Sequence, residues 1–222
     1  MNTLSKYALS ALLGISISYN ANALQFVLHN EFSGGQQPVG SLQVDITNSG
    51  ANAVDLKITS LLSGTEFLDE LYLNLDPALN PSLLSFGVTA RTGSFGPLVG
   101  GTDPVVSKGV NAFDADGGGS YDINFQFDIA PPGDRFNNSD SITYHVTGIT
   151  GLDESDFNFL AAPHGGNGVF TAAAHIQGVG PNADGSGFIA PNGVPGVPDG
   201  GSTVMLLGGT LACLGALRRR LA

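Results

Sequence analysis

Short runs of alternating apolar and polar residues recur along the middle of the chain, with turn-forming residues between them. Gln25-Phe26-Val27-Leu28 is the first of these runs. Leu42, Val44 and Ile46 alternate with Gln43, Asp45 and Thr47; beyond Asn48-Ser49-Gly50, Val54, Leu56 and Ile58 alternate with Asp55, Lys57 and Thr59. Leu71, Leu73 and Leu75 flank Tyr72 and Asn74 up to Asp76-Pro77. The longest run sets Tyr121, Ile123, Phe125, Phe127 and Ile129 against Asp122, Asn124, Gln126 and Asp128. Ile142, Tyr144 and Val146 follow opposite Thr143, His145 and Thr147, and 170–176 and 187–190 read as closing strands. Successive side chains on a strand point to opposite faces, so period two predicts sheets with one dry and one wet face. Two such sheets face to face give the expected fold: all-β, a single jelly-roll-like β-sandwich of roughly eight to ten strands over residues 24–190. One helix-like interruption is expected where Asp153 caps a turn and Asp156 answers it, with Phe157, Leu160 and Ala161 on the packing side.

Both ends break this pattern. Residues 1–23 carry Lys6, an apolar stretch over 7–19 and the small-x-small sequence Ala21-Asn22-Ala23 before Leu24. That is the layout of a signal helix cleaved during export, with Ala21 and Ala23 marking the cut. At the other end, residues 191–196 form a Pro/Gly linker. Thr203 to Leu217 then holds no charge, and Arg218, Arg219 and Arg220 follow. At 1.5 Å per residue those positions make a helix of about 22 Å, short against a hydrocarbon core of about 30 Å. The arginines act as a membrane stop that keeps the residues upstream outside. A short apolar helix of this kind suits a transient membrane handle better than a permanent anchor.

Val197-Pro198-Asp199-Gly200-Gly201, one hydrophobic helix and an arginine cluster closing the chain resemble the bacterial PEP-CTERM sorting signal, over residues 197–222. The usual motif is Val-Pro-Glu-Pro; this sequence keeps the first proline and an acidic residue, loses the second proline, and is similar to the Val-Pro-Asp-Gly-Gly-Ser-Thr variant. The resemblance implies recognition by an exosortase-like membrane protease after passage through the Sec export machinery. It implies transient membrane anchoring and then the cell surface or extracellular matrix. A looser resemblance runs through the body. Asn74-Leu75-Asp76-Pro77, the segment 151–157 and Ala173-Ala174-His175-Ile176-Gln177-Gly178 are similar to a layout recurrent among exported proteins with this signal, which carries no assigned activity.

Charge narrows the partners. Setting aside Lys6, Asp199 and the terminal arginines leaves 4 basic and 18 acidic residues in the body, a net of −14. Such a surface repels nucleic acid and suits cations or neutral partners such as extracellular polysaccharide. The single cysteine, Cys213, lies in the tail, so the body has no disulfide and no thiolate metal site.

Chemistry-bearing groups are few. Asp114-Ala115-Asp116-Gly117-Gly118-Gly119-Ser120-Tyr121-Asp122 offers carboxylates on a tight turn, and Asp114, Asp116 and Asp122 are its calcium candidates. The twelfth residue from Asp114 is Phe125, which excludes an EF-hand, and a glycine hairpin whose aspartates bond their own backbone explains the stretch without a ligand. Helix capping accounts for Asp153 and Asp156. His29, His145, His164 and His175 have no metal-like spacing, and no Gly-x-Ser-x-Gly elbow is present. No catalytic residue and no cofactor is nominated. The expected function is therefore that of an exported, non-enzymatic envelope or matrix protein. The alternatives are a carbohydrate- or calcium-binding module and, behind it, a hydrolase using strand-borne carboxylates.

Overall fold

The computed structural model describes residues 23–96 and 104–191. The expected signal helix and C-terminal hydrophobic helix lie outside these residues. Ten antiparallel strands are formed: β1 (Ala23–Ser33), β2 (Ser41–Gly50), β3 (Ala53–Leu61), β4 (Phe67–Leu73), β5 (Ser85–Thr92), β6 (Val105–Asp114), β7 (Ser120–Gln126), β8 (Ser141–Thr147), β9 (Ala172–Val179) and β10 (Gly185–Pro191). The only helical elements among the described residues are three 3₁₀ turns, at Pro81–Leu83, Pro132–Asp134 and Glu154–Phe157.

The expectation of two stacked jelly-roll sheets gives way to one continuous sheet in the order β5-β8-β3-β2-β1-β10-β9-β4-β7-β6. The reason lies in β1, which is long enough to serve two neighbours. Its first half pairs with β2, from Ala23↔Thr47 to Leu28↔Leu42. Its second half pairs with β10, from Leu28↔Pro191 to Ser33↔Phe188, with register shifts on either side of Asn30 and Glu31 that bend the strand. The sheet curls until its far ends meet. Phe125 of β7 lies 5.4 Å from the Tyr144 ring of β8 and 5.5 Å from Phe86 of β5, centroid to centroid. The result is a nearly closed barrel filled by the inward positions read from the alternation: Phe26 and Leu28, Val44 and Ile46, Leu56 and Ile58, Ile123 and Phe125, and Ile142 and Val146.

The rule of one wet face holds for β2, β3 and β8, whose outward residues are partly exposed. It fails for β4, β7 and β9. Tyr72 and Ala173, opposite each other on β4 and β9, point outward and are buried, forming a second apolar cluster with Tyr121, Ala115 and Ala161 against Phe32, Phe113 and Phe188. The β6–β7 loop and the segment leading into β9 cover this face. Strand β7 also stops at Gln126 rather than running to Ile129. Asp128 Oδ1 there accepts from Ala130 N at 3.0 Å, and Pro131-Pro132 lacks the donors a ladder needs. The capped turn forms as expected: Asp153 Oδ1 accepts from Ser155 N at 2.9 Å, and Asp156 Oδ2 accepts from Asp153 N at 3.0 Å. Phe157 and Ala161 are buried, whereas Leu160 is 53% exposed and leaves the packing side assigned to it.

Candidate functional site

The first and last described residues lie on adjacent strands. Ala23 is exposed, and Leu24, the expected first residue after cleavage, is buried opposite Ile46. β10 runs antiparallel to β1 and ends at Pro191, which is buried opposite Leu28 rather than belonging to a linker. β1 and β10, which carry the first and last described residues, are therefore antiparallel neighbours in the middle of the sheet. Ala21, Val197 to Gly201 and Arg218 to Arg220 lie outside the described residues. Among the described residues no helix is long and apolar enough to cross a membrane.

The three calcium candidates part company. Asp114 Oδ1 accepts from Ser120 Oγ at 2.6 Å and stands 3.2 Å from His164 Nδ1. Asp116, with φ 42°, accepts from the Ser33 hydroxyl, and its carbonyl accepts from Asn167 Nδ2 at 2.8 Å. Asp122 turns away to accept from Leu75 N at 3.1 Å and Asn111 N at 2.8 Å, beside a cavity of about 240 Å³. The loop is a clasp. Its glycines let the segment around Gly165 cross it so closely that a Cβ on Gly165 (φ +74°) would stand 2.2 Å from the Gly117 Cα. No group of three or more His, Cys, Asp or Glu side chains suited to a metal ion occurs among the described residues.

The densest polar chemistry is elsewhere, on the outside of β4, β7 and β9. His175 Nδ1 lies 2.9 Å from Asp69 Oδ2, which also accepts from Gln177 Nε2 at 2.5 Å, and the imidazole stacks on Phe188 at 4.3 Å. Beside it, Glu70 accepts from the Tyr72 hydroxyl and from Gln126 Nε2 at 3.2 Å. Asp69 orients the ring of His175, yet no hydroxyl or thiol among the described residues hydrogen-bonds to that ring. The arrangement is an orienting pair without an attached nucleophile. His145 pairs with Asp55, 2.8 Å apart, on the outside of β8 and β3, and the Ser49 hydroxyl lies 3.3 Å from the same Nδ1, so the two contacts share one ring nitrogen. Sequence spacing missed both pairs because their members lie 106 and 90 residues apart and meet only through strand pairing.

Burial acts on the tyrosines of the outer cluster. Desolvation raises the Tyr72 phenol far above its ordinary value of 10.0, with the Glu70 carboxylate adding to the shift, and desolvation alone raises Tyr121. A raised folded value means that the stabilisation is complete below pH 10.0 and is lost as pH climbs beyond it. Absorbance at 295 nm should therefore show these two phenols still protonated above pH 10, with tyrosinate appearing together with unfolding. Early, independent titration of both phenols in a folded protein contradicts the burial.

Comparison with known proteins bears on the tail. Residues 196–221 match the VPDSG-CTERM motif. No curated protein and no solved structure matches the chain. The chain carries a C-terminal sorting signal of the CTERM kind, joined to the all-β body within a few residues of β10.

Proposed function

We propose that this is a non-enzymatic protein of the cell envelope or extracellular matrix. It is exported through its N-terminal signal and processed at its C-terminal signal by an exosortase-like membrane protease. The observation that carries the reading is the VPDSG-CTERM match over residues 196–221. The position of the ends supports it. Removing residues up to Ala23 and cutting beyond Pro191 leaves every pair of the β1–β2 and β1–β10 ladders from Leu24 onward in place. Pro198 and Asp199 are recognition residues for the processing enzyme in this scheme, and Arg218 to Arg220 hold the tail during the encounter. The acidic body is then delivered to a neutral partner, for which extracellular polysaccharide is the fitting class.

The test is intact-mass analysis of the full chain produced in a host with and without an exosortase, with cells, membranes and medium separated. In the competent host the mature mass should lack the tail, and Pro198→Ala with Asp199→Ala should cut the released fraction at least tenfold and leave the protein with the membranes. Identical masses and fractions for the native and altered motifs overturn the proposal.

A further inference from the structure

The strand order leaves one seam in the barrel. β5 and β6 end the row, and neither pairs with another strand along its second edge among the described residues. They approach where the Lys108 ammonium of β6 donates to the carbonyl of Leu84, just before β5. Between them opens a cleft of about 500 Å³, within the range of small-molecule sites. Its walls include Phe86 and Val88 of β5 and Val106 and Lys108 of β6, with Tyr144 of β8 as floor. Tyr144 is buried and Phe86 is half-buried, its ring edge-on to both Phe125 and Tyr144, so the floor is the barrel core itself.

Lys108 is the one charged residue in this lining. An ammonium has three donors, and the Leu84 carbonyl takes one of them. No ion pair joins Lys108 to a carboxylate among the described residues, although the body carries 18 acids. A half-buried cation beside the apolar side chains of Phe86, Val88 and Val106, paired with no carboxylate among the described residues of an acidic protein, is suited to an anion brought by a ligand. An added peptide strand fits less well. β6 is irregular between Lys108 and Phe113, and β5 between Val88 and Ala90, which breaks the regular ladder a pairing strand needs.

We propose that the seam binds a small amphipathic anion: a compact apolar ring or short acyl body lying on Phe86, Val88 and Val106, with one carboxylate on Lys108. The inference stands apart from the sorting reading. The probes are 4-cyclohexylbutyrate and its uncharged counterpart 4-cyclohexylbutanol, titrated into the full chain by calorimetry and followed by protein fluorescence. The chain has no tryptophan, so tyrosine emission is unmasked and Tyr144 lies at the cleft. The carboxylate should bind with saturation at one equivalent. Lys108→Met should weaken it about tenfold or more while changing the alcohol less than about twofold, and Lys108→Arg should restore it, as expected for one charge-assisted contact. Val88→Trp, which fills the cleft with the cation intact and is followed by calorimetry alone because its indole masks tyrosine emission, should abolish binding of both probes; a melting curve for each variant confirms the fold. Binding of the carboxylate that is indifferent to Lys108→Met, binding that survives Val88→Trp, or no saturable binding at millimolar probe overturns the proposal.

Discussion

Replacing Phe125 with alanine should cost the protein about 3–5 kcal/mol, the usual range for removing a fully buried aromatic. Phe125 is 0% exposed on β7 and touches the strands at the opposite end of the row through Tyr144 and Phe86. Its ring thus joins parts of the sheet that share no backbone hydrogen bonds, and the void left behind cannot close without moving β5 or β8. For a body of this size the loss corresponds to a fall in Tm on the order of 10 °C. Denaturant and thermal unfolding of Phe125→Ala against Phe125→Leu measure it, the leucine variant losing less. A cost below about 1 kcal/mol would show that the barrel is not closed through this ring.

Glu66→Ala should come next, at about 2–4 kcal/mol. Glu66 is a carboxylate only 3% exposed, yet no cation holds it among the described residues. It accepts from three backbone amides instead: Val39 N at 2.5 Å, Gly40 N at 2.9 Å and Ser63 N at 2.9 Å. One side chain therefore fastens the β1–β2 loop to the β3–β4 connection, and alanine leaves three donors without their acceptor. Water entering the neighbouring cavity of about 320 Å³ can recover part of the loss, which keeps the expected cost below three full hydrogen-bond penalties. Glu66→Gln keeps one acceptor oxygen and turns an amide toward the remaining donors, so it should fall between the parent and alanine. Equal stability of all three would mean that the loops are held by other contacts.

The strands that could be read from the sequence are those that bury one face against the barrel interior. Leu42, Val44 and Ile46 and Val54, Leu56 and Ile58 are all at 0% exposure, as their alternation predicts. β5 and β6 went unread. As edge strands they are bonded on one side only and largely exposed, so burial places little demand on their alternation. The same weakness concealed the cleft between them. The Asp114–Asp122 loop was legible as a turn, but its separate hydrogen-bond duties were not, because Ser33, Leu75, His164 and Asn167 reach it from distant parts of the chain.

By itself the sequence determined three things: the all-β character of the body, the capped turn at Asp153, and the sorting signal that matches over 196–221. Each is written in residues adjacent or a few positions apart, where strand period, capping geometry and motif order act locally. Only the tertiary structure decided that the strands close into one curled sheet through the double use of β1. It also decided that loops bury the outer face of β4 and β9, and that Lys108 lines an open seam with no carboxylate partner among the described residues. Those outcomes depend on pairings between residues far apart in the chain, which are set by how the whole sheet can bury its apolar face and satisfy its backbone at once.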